Sequence, residues 1–248
     1  MPPRGARGNS SSLDPQNRAT YRSLPRKTRR ITTNGRTRMN ATDAAVVIVD
    51  YGMGNVCSIA NMLKKVRGNA IISGDPEVVA RARRIILPGV GAFDNGMSHL
   101  ESRGLLPVLH RKAMEERVPI LGICLGMQLL GRHSEEGSLP GLGWVHGESR
   151  RFRFPESQPG LRIPHMGWNT VTVDRPHGLF ADGNRELRFY FAHSYHLCCA
   201  NPGNVLCTTV YGDRFTSAVA SDNIVGVQFH PEKSHSYGMR LLSSFLER

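Results

Sequence analysis

The sequence predicts an α/β protein built on a doubly wound, mostly parallel sheet. Three observations carry this. Short apolar runs alternate with stretches of helical periodicity through residues 44–123. Several of those runs end in glycine-rich turns. Beyond about residue 140 the β-like runs come in closer succession, as antiparallel or mixed strands added to one edge would.

The elements follow in order. "AAVVIVD" (44–50) is a buried strand, apolar on both faces, and it enters the turn "YGMGN" (51–55). "VCSIANMLKKV" (56–66) then places Ile59, Met62, Leu63 and Val66 on one helical face. "AIIS" (70–73) is the second strand. Asp75 and Pro76 are the cap and first residue of the next helix. "RIILPGVG" (84–91) is the third strand, residues 105–117 suit a helix, and "VPILGI" (118–123) is the fourth strand. Later come "RFYFAHSYHL" (188–197), "NVLCTTVYG" (204–212), "FTSAVA" (215–220) and "NIVGVQFHP" (223–231), and "YGMRLLSSFLE" (237–247) closes the chain as an amphipathic helix. Parallel strands joined through helices require right-handed crossovers, which gather chemistry at the carboxyl ends of the strands.

Net charge narrows the partners. Of the formal +12, residues 1–38 supply +9, from ten Lys/Arg against the single acid Asp14, leaving +3 for the remainder. The folded part is close to neutral and carries no global nucleic-acid signal. Residues 1–43 are too poor in apolar clusters to offset their ordering entropy and are expected to be a disordered basic tail. A basic arm, an organelle transit peptide and translation starting at Met39 are the alternative readings of that tail. The domain is expected to span 44–248. No apolar run approaches the roughly 18 residues of a membrane span. The five cysteines are odd in number and not spaced as a disulfide framework, so a reducing cytoplasm is expected.

The chemistry centres on "GICLGMQ" (122–128). Gly122 and Gly126 flank Cys124 at a strand-to-helix junction, the arrangement of a nucleophile elbow. The following helix would aim its N-terminal N–H groups at the sulfur and favour the thiolate. "QFHPEK" (228–233) offers a base, His230, and an orienter, Glu232, two apart at the end of a strand and so able to share a face. Together they make a Cys–His–Glu triad. "HSYHLCC" (193–199) has residue types that bind metal, but alternation puts His196 and Cys198 on one face and His193 on the other, with no fourth ligand at usual spacing. Neither a metal nor a cofactor is expected.

G-x-C-x-G-x-Q followed about a hundred residues later by H-P-E resembles the class I glutamine amidotransferases, whose fold is Rossmann/flavodoxin-like. "DYGMGN" (50–55), "LPGVGAFDNGM" (87–97), "HSEEG" (133–137), "GLGW" (141–144), "IPHMGWN" (163–169) and "FYFAHSY" (189–195) are similar to the glutaminase branch that serves imidazole glycerol phosphate synthesis. The resemblance implies that Cys124 attacks the amide of glutamine, with His230 as proton carrier and Glu232 holding the imidazole. It implies an oxyanion held by the backbone N–H groups of Val90 and Leu125. Gln128, Glu136, Ser194 and Tyr195 would hold the amino-acid end of glutamine. Asn55, Trp168, Tyr190 and Lys233 would lie near a (β/α)₈-barrel cyclase partner that receives the ammonia. It further implies a heterodimer producing imidazole glycerol phosphate and an aminoimidazole carboxamide ribonucleotide. Two other readings stand beside it: a paralogous glutaminase feeding nucleotide-sugar amidation, for which "KSHSYGM" and "FTSAV" are equally suitable, and a non-catalytic regulatory module.

Overall fold

The structure is a computed structural model that describes residues 46–155, 160–180 and 186–248. The tail, with Met39, lies outside the described residues.

β1 (Val46–Val49), β2 (Ala70–Ser73), β3 (Ile85–Gly89) and β4 (Ile120–Cys124) are parallel neighbours in the order β2-β1-β3-β4. Every residue of β1, β3 and β4 is buried, as strands covered on both faces must be. Their side chains alternate between two cores. Val46, Ile48, Ile86, Leu121 and Ile123 pack with α1 (Val56–Lys65) and α6 (His235–Leu246). Val47, Val49, Ile85, Leu87 and Ile120 pack on the other face with α3 (Phe93–Ser102) and α4 (Leu105–His110). The sequence pattern anticipates α1 through Ile59, Met62 and Leu63, and α2 (Pro76–Ala80) through Asp75, whose carboxylate accepts from the Glu77 N–H at 2.8 Å.

The sheet continues through β12 (Ile224–Val227), parallel to β4, and then antiparallel through β11 (Asp213–Ser221), β10 (Val205–Tyr211), β7 (His165–Val173) and β8 (Leu187–His193), nine strands among the described residues. A second sheet holds β5 (His133–Ser134), β6 (Gly147–Arg151) and β9 (Tyr195–Cys199).

"NIVGVQFHP" supplies the mixed strand among those expected at the sheet edge, pairing parallel with β4 and antiparallel with β11. Its apolar run Ile224–Val227 is buried beside β4. Other expectations need correction. The run 188–197 is two strands in different sheets, separated at Ser194, whose carbonyl accepts from the Phe152 N–H at 3.0 Å. The helix expected over 105–117 is α4 followed by a π-helical turn, Arg111–Glu115, in which buried Lys112 reaches Glu116 at 2.6 Å. α3, β5, β6 and β7 have no counterpart in the sequence reading.

The join of β4 to α5 (Leu125–Leu129) packs backbone directly on backbone. A Cβ on Gly126 would lie 1.8 Å from the Leu87 carbonyl oxygen of β3, and one on Gly122 would lie 2.7 Å from the Gly126 carbonyl oxygen. Backbone cannot rotate away as a side chain can. Gly126→Ala is therefore expected to destabilise the fold by about 3 kcal/mol or more, the range of overpacking with backbone displacement. Urea unfolding of the variant against the parent chain measures this.

Candidate active site

Cys124 ends β4 with φ 55° and ψ −109°, a conformation that L residues adopt only when their surroundings impose it. The two flanking glycines do so by letting α5 start directly against β3. The sulfur thereby faces the carboxyl end of the sheet. α5 has only five residues, so its dipole is a weaker aid to the thiolate than the sequence suggested.

His230 lies past the end of β12, which stops at Val227. It shares a face with Glu232 through the 3₁₀ turn Pro231–Lys233, not through the strand alternation that the sequence suggested. Its Nδ1 is 2.7 Å from Glu232 Oε1, and both side chains are almost fully buried. Its backbone is fixed twice: the His230 N–H donates to the Tyr190 carbonyl at 2.8 Å, and Ser234 Oγ donates to the His230 carbonyl at 2.6 Å. Burial pulls the imidazole toward its neutral form. The hydrogen bonds to Cys124 and Glu232, with their negative charge, more than offset this and raise its pKa to about 10. The imidazole is thereby held toward its protonated form beside the sulfur.

Cys124 opens into a cleft of about 470 Å³. Val90, Leu125, Gln128, Glu136, Ser194 and Tyr195, all singled out from the sequence, line it together with Cys124. The Val90–Gly91 turn borders it, Gly91 having φ 109°. Buried Tyr51 holds this turn from behind by donating its hydroxyl to the Pro88 carbonyl at 2.7 Å. Glu136 Oε2 accepts from the Phe93 N–H at 2.9 Å and so caps α3, whose own N-cap is Ala92. Burial raises the Glu136 pKa above the ordinary carboxylate value, partly offset by that hydrogen bond. Pro164, Met166 and His193 also line the cleft and were not anticipated. Nothing in their spacing marks them: β7 and β8 bring them there by a long-range pairing, His165 opposite His193.

The remaining sequence-selected residues divide. Trp168 and Tyr190 are partners in the β7–β8 register with rings 6.4 Å apart, and the Lys233 ammonium lies 5.6 Å from the Tyr190 ring centroid. Trp168, 39% exposed, stacks on His235, which the sequence reading did not include. Asn55 acts locally, its side chain capping α1 by accepting from the Ser58 N–H at 3.2 Å. His196 Nδ1 lies 3.6 Å from Cys198 Sγ, while His193 points to His165. No group of three metal-ligating side chains occurs among the described residues. Nor is any helix among them long and apolar enough to cross a membrane.

A strained cysteine at a strand-to-helix turn, a buried His–Glu pair and a cleft at the carboxyl end of a doubly wound sheet define a class. The class-I glutamine amidotransferase family model matches residues 47–248, and the chain belongs to that family. Within it the similarity is specific. The chain is 49% identical over 203 residues to "Imidazole glycerol phosphate synthase subunit HisH 2" of Methanococcus maripaludis, covering 82% of this chain and 99% of that one. It is 48% identical over 202 residues to the protein so named in Pseudomonas aeruginosa, covering 82% and 98%. To the HisH subunit of Bdellovibrio bacteriovorus it is 46% identical over 202 residues, covering 82% and 99%. Among solved structures, a glutamine amidotransferase aligns with TM-score 0.64 at 19% identity, covering 82% of this chain and 98% of that one. PurLQS from Thermotoga maritima aligns with TM-score 0.62 at 20% identity, covering 83% and 98%. These last two bear on the fold alone.

His193 at the cleft wall and His165 behind it are buried and neutral. Burial lowers His165 to about 4. It also lowers His193 to about 3 against the hydrogen bond to the Tyr195 carbonyl. Unfolded, both titrate near 6.5, so below that pH the unfolded chain binds more protons. Their contribution to stability is complete above pH 6.5 and is lost as pH falls toward their folded values, at up to about 1.4 kcal/mol per pH unit for each. His177 and His196, lowered to about 4 by burial, act in the same direction. His230 acts oppositely: its contribution is complete below pH 6.5 and is lost as pH rises through about 10. Urea midpoints are expected to fall from pH 7 to pH 5, and His193→Asn should flatten that slope.

Proposed function

We propose that the chain is the glutaminase subunit of imidazole glycerol phosphate synthase, releasing ammonia from glutamine for a (β/α)₈-barrel cyclase subunit in histidine biosynthesis. The observation that carries this is the buried Cys124–His230–Glu232 constellation at a cleft that Gln128, Glu136, Ser194 and Tyr195 line. The names of the relatives, at 46–49% identity over nearly their whole length, support the histidine pathway over nucleotide-sugar amidation. An intact triad argues against a non-catalytic module.

In this reading the Cys124 thiolate attacks the glutamine side-chain amide carbon. The oxyanion is met by backbone N–H groups of Leu125 and Val90. His230 delivers its proton to the departing ammonia, leaving a thioester. It then takes a proton from water as water attacks the thioester, and glutamate and the thiolate are regenerated. Glu232, through Nδ1, keeps Nε2 directed at the sulfur. Glu136 is placed for the substrate ammonium, and Gln128, Ser194 and Tyr195 for its remaining polar atoms. Trp168, Tyr190 and Lys233 form the surface assigned to the cyclase subunit, with Asn55 as a further contact.

Cys124→Ala is expected to abolish glutamine-dependent synthesis by the complex while sparing synthesis from added ammonium salt. Loss of the ammonium-dependent reaction in an assembled complex would contradict the division of labour. Rescue of a histidine auxotroph by the chain with its cyclase separates the two pathway readings. The Val90 peptide lies between two glycines, so it can turn N–H or C=O toward the cleft. Losing one oxyanion donor costs about 10²–10³ in rate. The isolated chain is therefore expected to hydrolyse glutamine slowly and to accelerate when the cyclase binds its own substrate. Equal kcat for the chain alone, with empty cyclase and with loaded cyclase would refute this.

A further inference from the structure

A continuous run of hydrogen bonds reaches Cys124 through Gln128 and Gln228, and its polarity is fixed by backbone carbonyls. The Tyr195 carbonyl can only accept. It takes the Nδ1–H of His193 at 2.8 Å and the Nε2–H of Gln128 at 2.9 Å. His193 Nε2 is then an acceptor, so His165 Nδ1 must donate to it at 3.2 Å, and His165 Nε2 accepts from Asn169 Nδ2 at 3.3 Å. The Asn169 amide is oriented independently, since Nδ2 also donates to the Val210 carbonyl at 2.9 Å. The same logic runs toward the nucleophile. With Nε2 of Gln128 committed to Tyr195, its second N–H meets Gln228 Oε1 at 3.2 Å. Gln228 must then present its own NH₂ to the sulfur, and Gln228 Nε2 is 3.7 Å from Cys124 Sγ. Flipping either amide would set acceptor against acceptor or donor against donor.

We propose that Gln228 is a catalytic residue whose buried amide N–H stabilises the Cys124 thiolate alongside His230. The proposal rests on the reading of Cys124 as nucleophile. It answers an electrostatic need. The Ala192 carbonyl oxygen lies 4.0 Å from Sγ, where it accepts from the thiol S–H but repels a thiolate. Gln228 is fully buried, so water cannot replace its N–H. The short helix α5 offers limited help. The other titratable groups facing the sulfur are His230, with Glu232 behind it, and the buried Tyr51 hydroxyl, while His193 lies next to His230. Glutamine is neutral and does not titrate, so its removal shifts the sulfur without adding a titration of its own.

The test is the pH dependence of Cys124 alkylation by iodoacetamide in the full chain, read by peptide mass spectrometry so that the other four cysteines do not interfere. A hydrogen bond to a charged group, lost without replacement, corresponds to about a tenfold change. Gln228→Met should therefore move the alkylation midpoint up by about one pH unit. It should lower kcat for glutamine hydrolysis about tenfold at neutral pH, with recovery at higher pH and KM little changed. If Gln228→Met does not fold, Gln228→Glu keeps the shape and, when ionised, sets a negative charge beside the sulfur; its midpoint should rise at least as far. A parental alkylation midpoint in either folded variant overturns the proposal. Glutaminase activity surviving in Cys124→Ala would overturn the nucleophile reading instead, and the alkylation profiles would still report on Gln228.

Discussion

The pairing of β4 with β3 on one side and β12 on the other is the constraint from which the site follows. Gly89 stands opposite Cys124 in one register, and Val227 opposite Ile123 in the other. Three segments more than a hundred residues apart at the extremes therefore end at the same level of the sheet. From the first comes the turn at Val90, from the second the cysteine, and from the third the histidine. Burial of all three strands on both faces keeps the registers from slipping, because a one-residue shift would exchange the two cores. The strained backbone at Cys124 is tolerated because that sheet surrounds it.

Much of this was legible in the sequence, for a physical reason in each case. Parallel strands covered on both faces must be continuously apolar, and Val46–Val49, Ile85–Leu87 and Ile120–Ile123 are. Asp75–Pro76 announces its helix because cap and first residue are adjacent in sequence. The glycines around Cys124 were readable because the turn packs backbone on backbone. What escaped has its cause elsewhere in the chain. α3 begins at a bare alanine and contains Asn95-Gly96, a turn signal; its cap, Glu136, comes 43 residues later. β6, "GESRR", is polar because only alternate residues are covered, and β7 carries an internal glycine and asparagine. The geometry of His230 and Glu232 was anticipated, but through strand alternation instead of the turn that produces it.

The polar interior behind the cleft shows the same dependence on distant pairing. His165, His193 and Phe191 come together by the β7–β8 hairpin, Phe152 joins them from just past the end of β6, and Phe215 from β11. Two neutral imidazoles are retained among these aromatic rings because each has a donor on one side and an acceptor on the other. An apolar substitution at either would leave its neighbour's polar atom buried and unpaired, at about 1–3 kcal/mol.

Glu136 has an unusual double allegiance. One carboxylate oxygen holds the first N–H of α3, while the side chain lines the cleft proposed for glutamine. A ligand ammonium and the start of that helix would then draw on the same negative charge. Substituting this residue removes a helix cap and a ligand contact in one stroke, so an altered KM alone would overstate its share in recognition. Only a comparison of the variant's unfolding with its ligand affinity can divide the loss, and a helix cap supplied locally at Ala92 would free the carboxylate to report on the ligand alone.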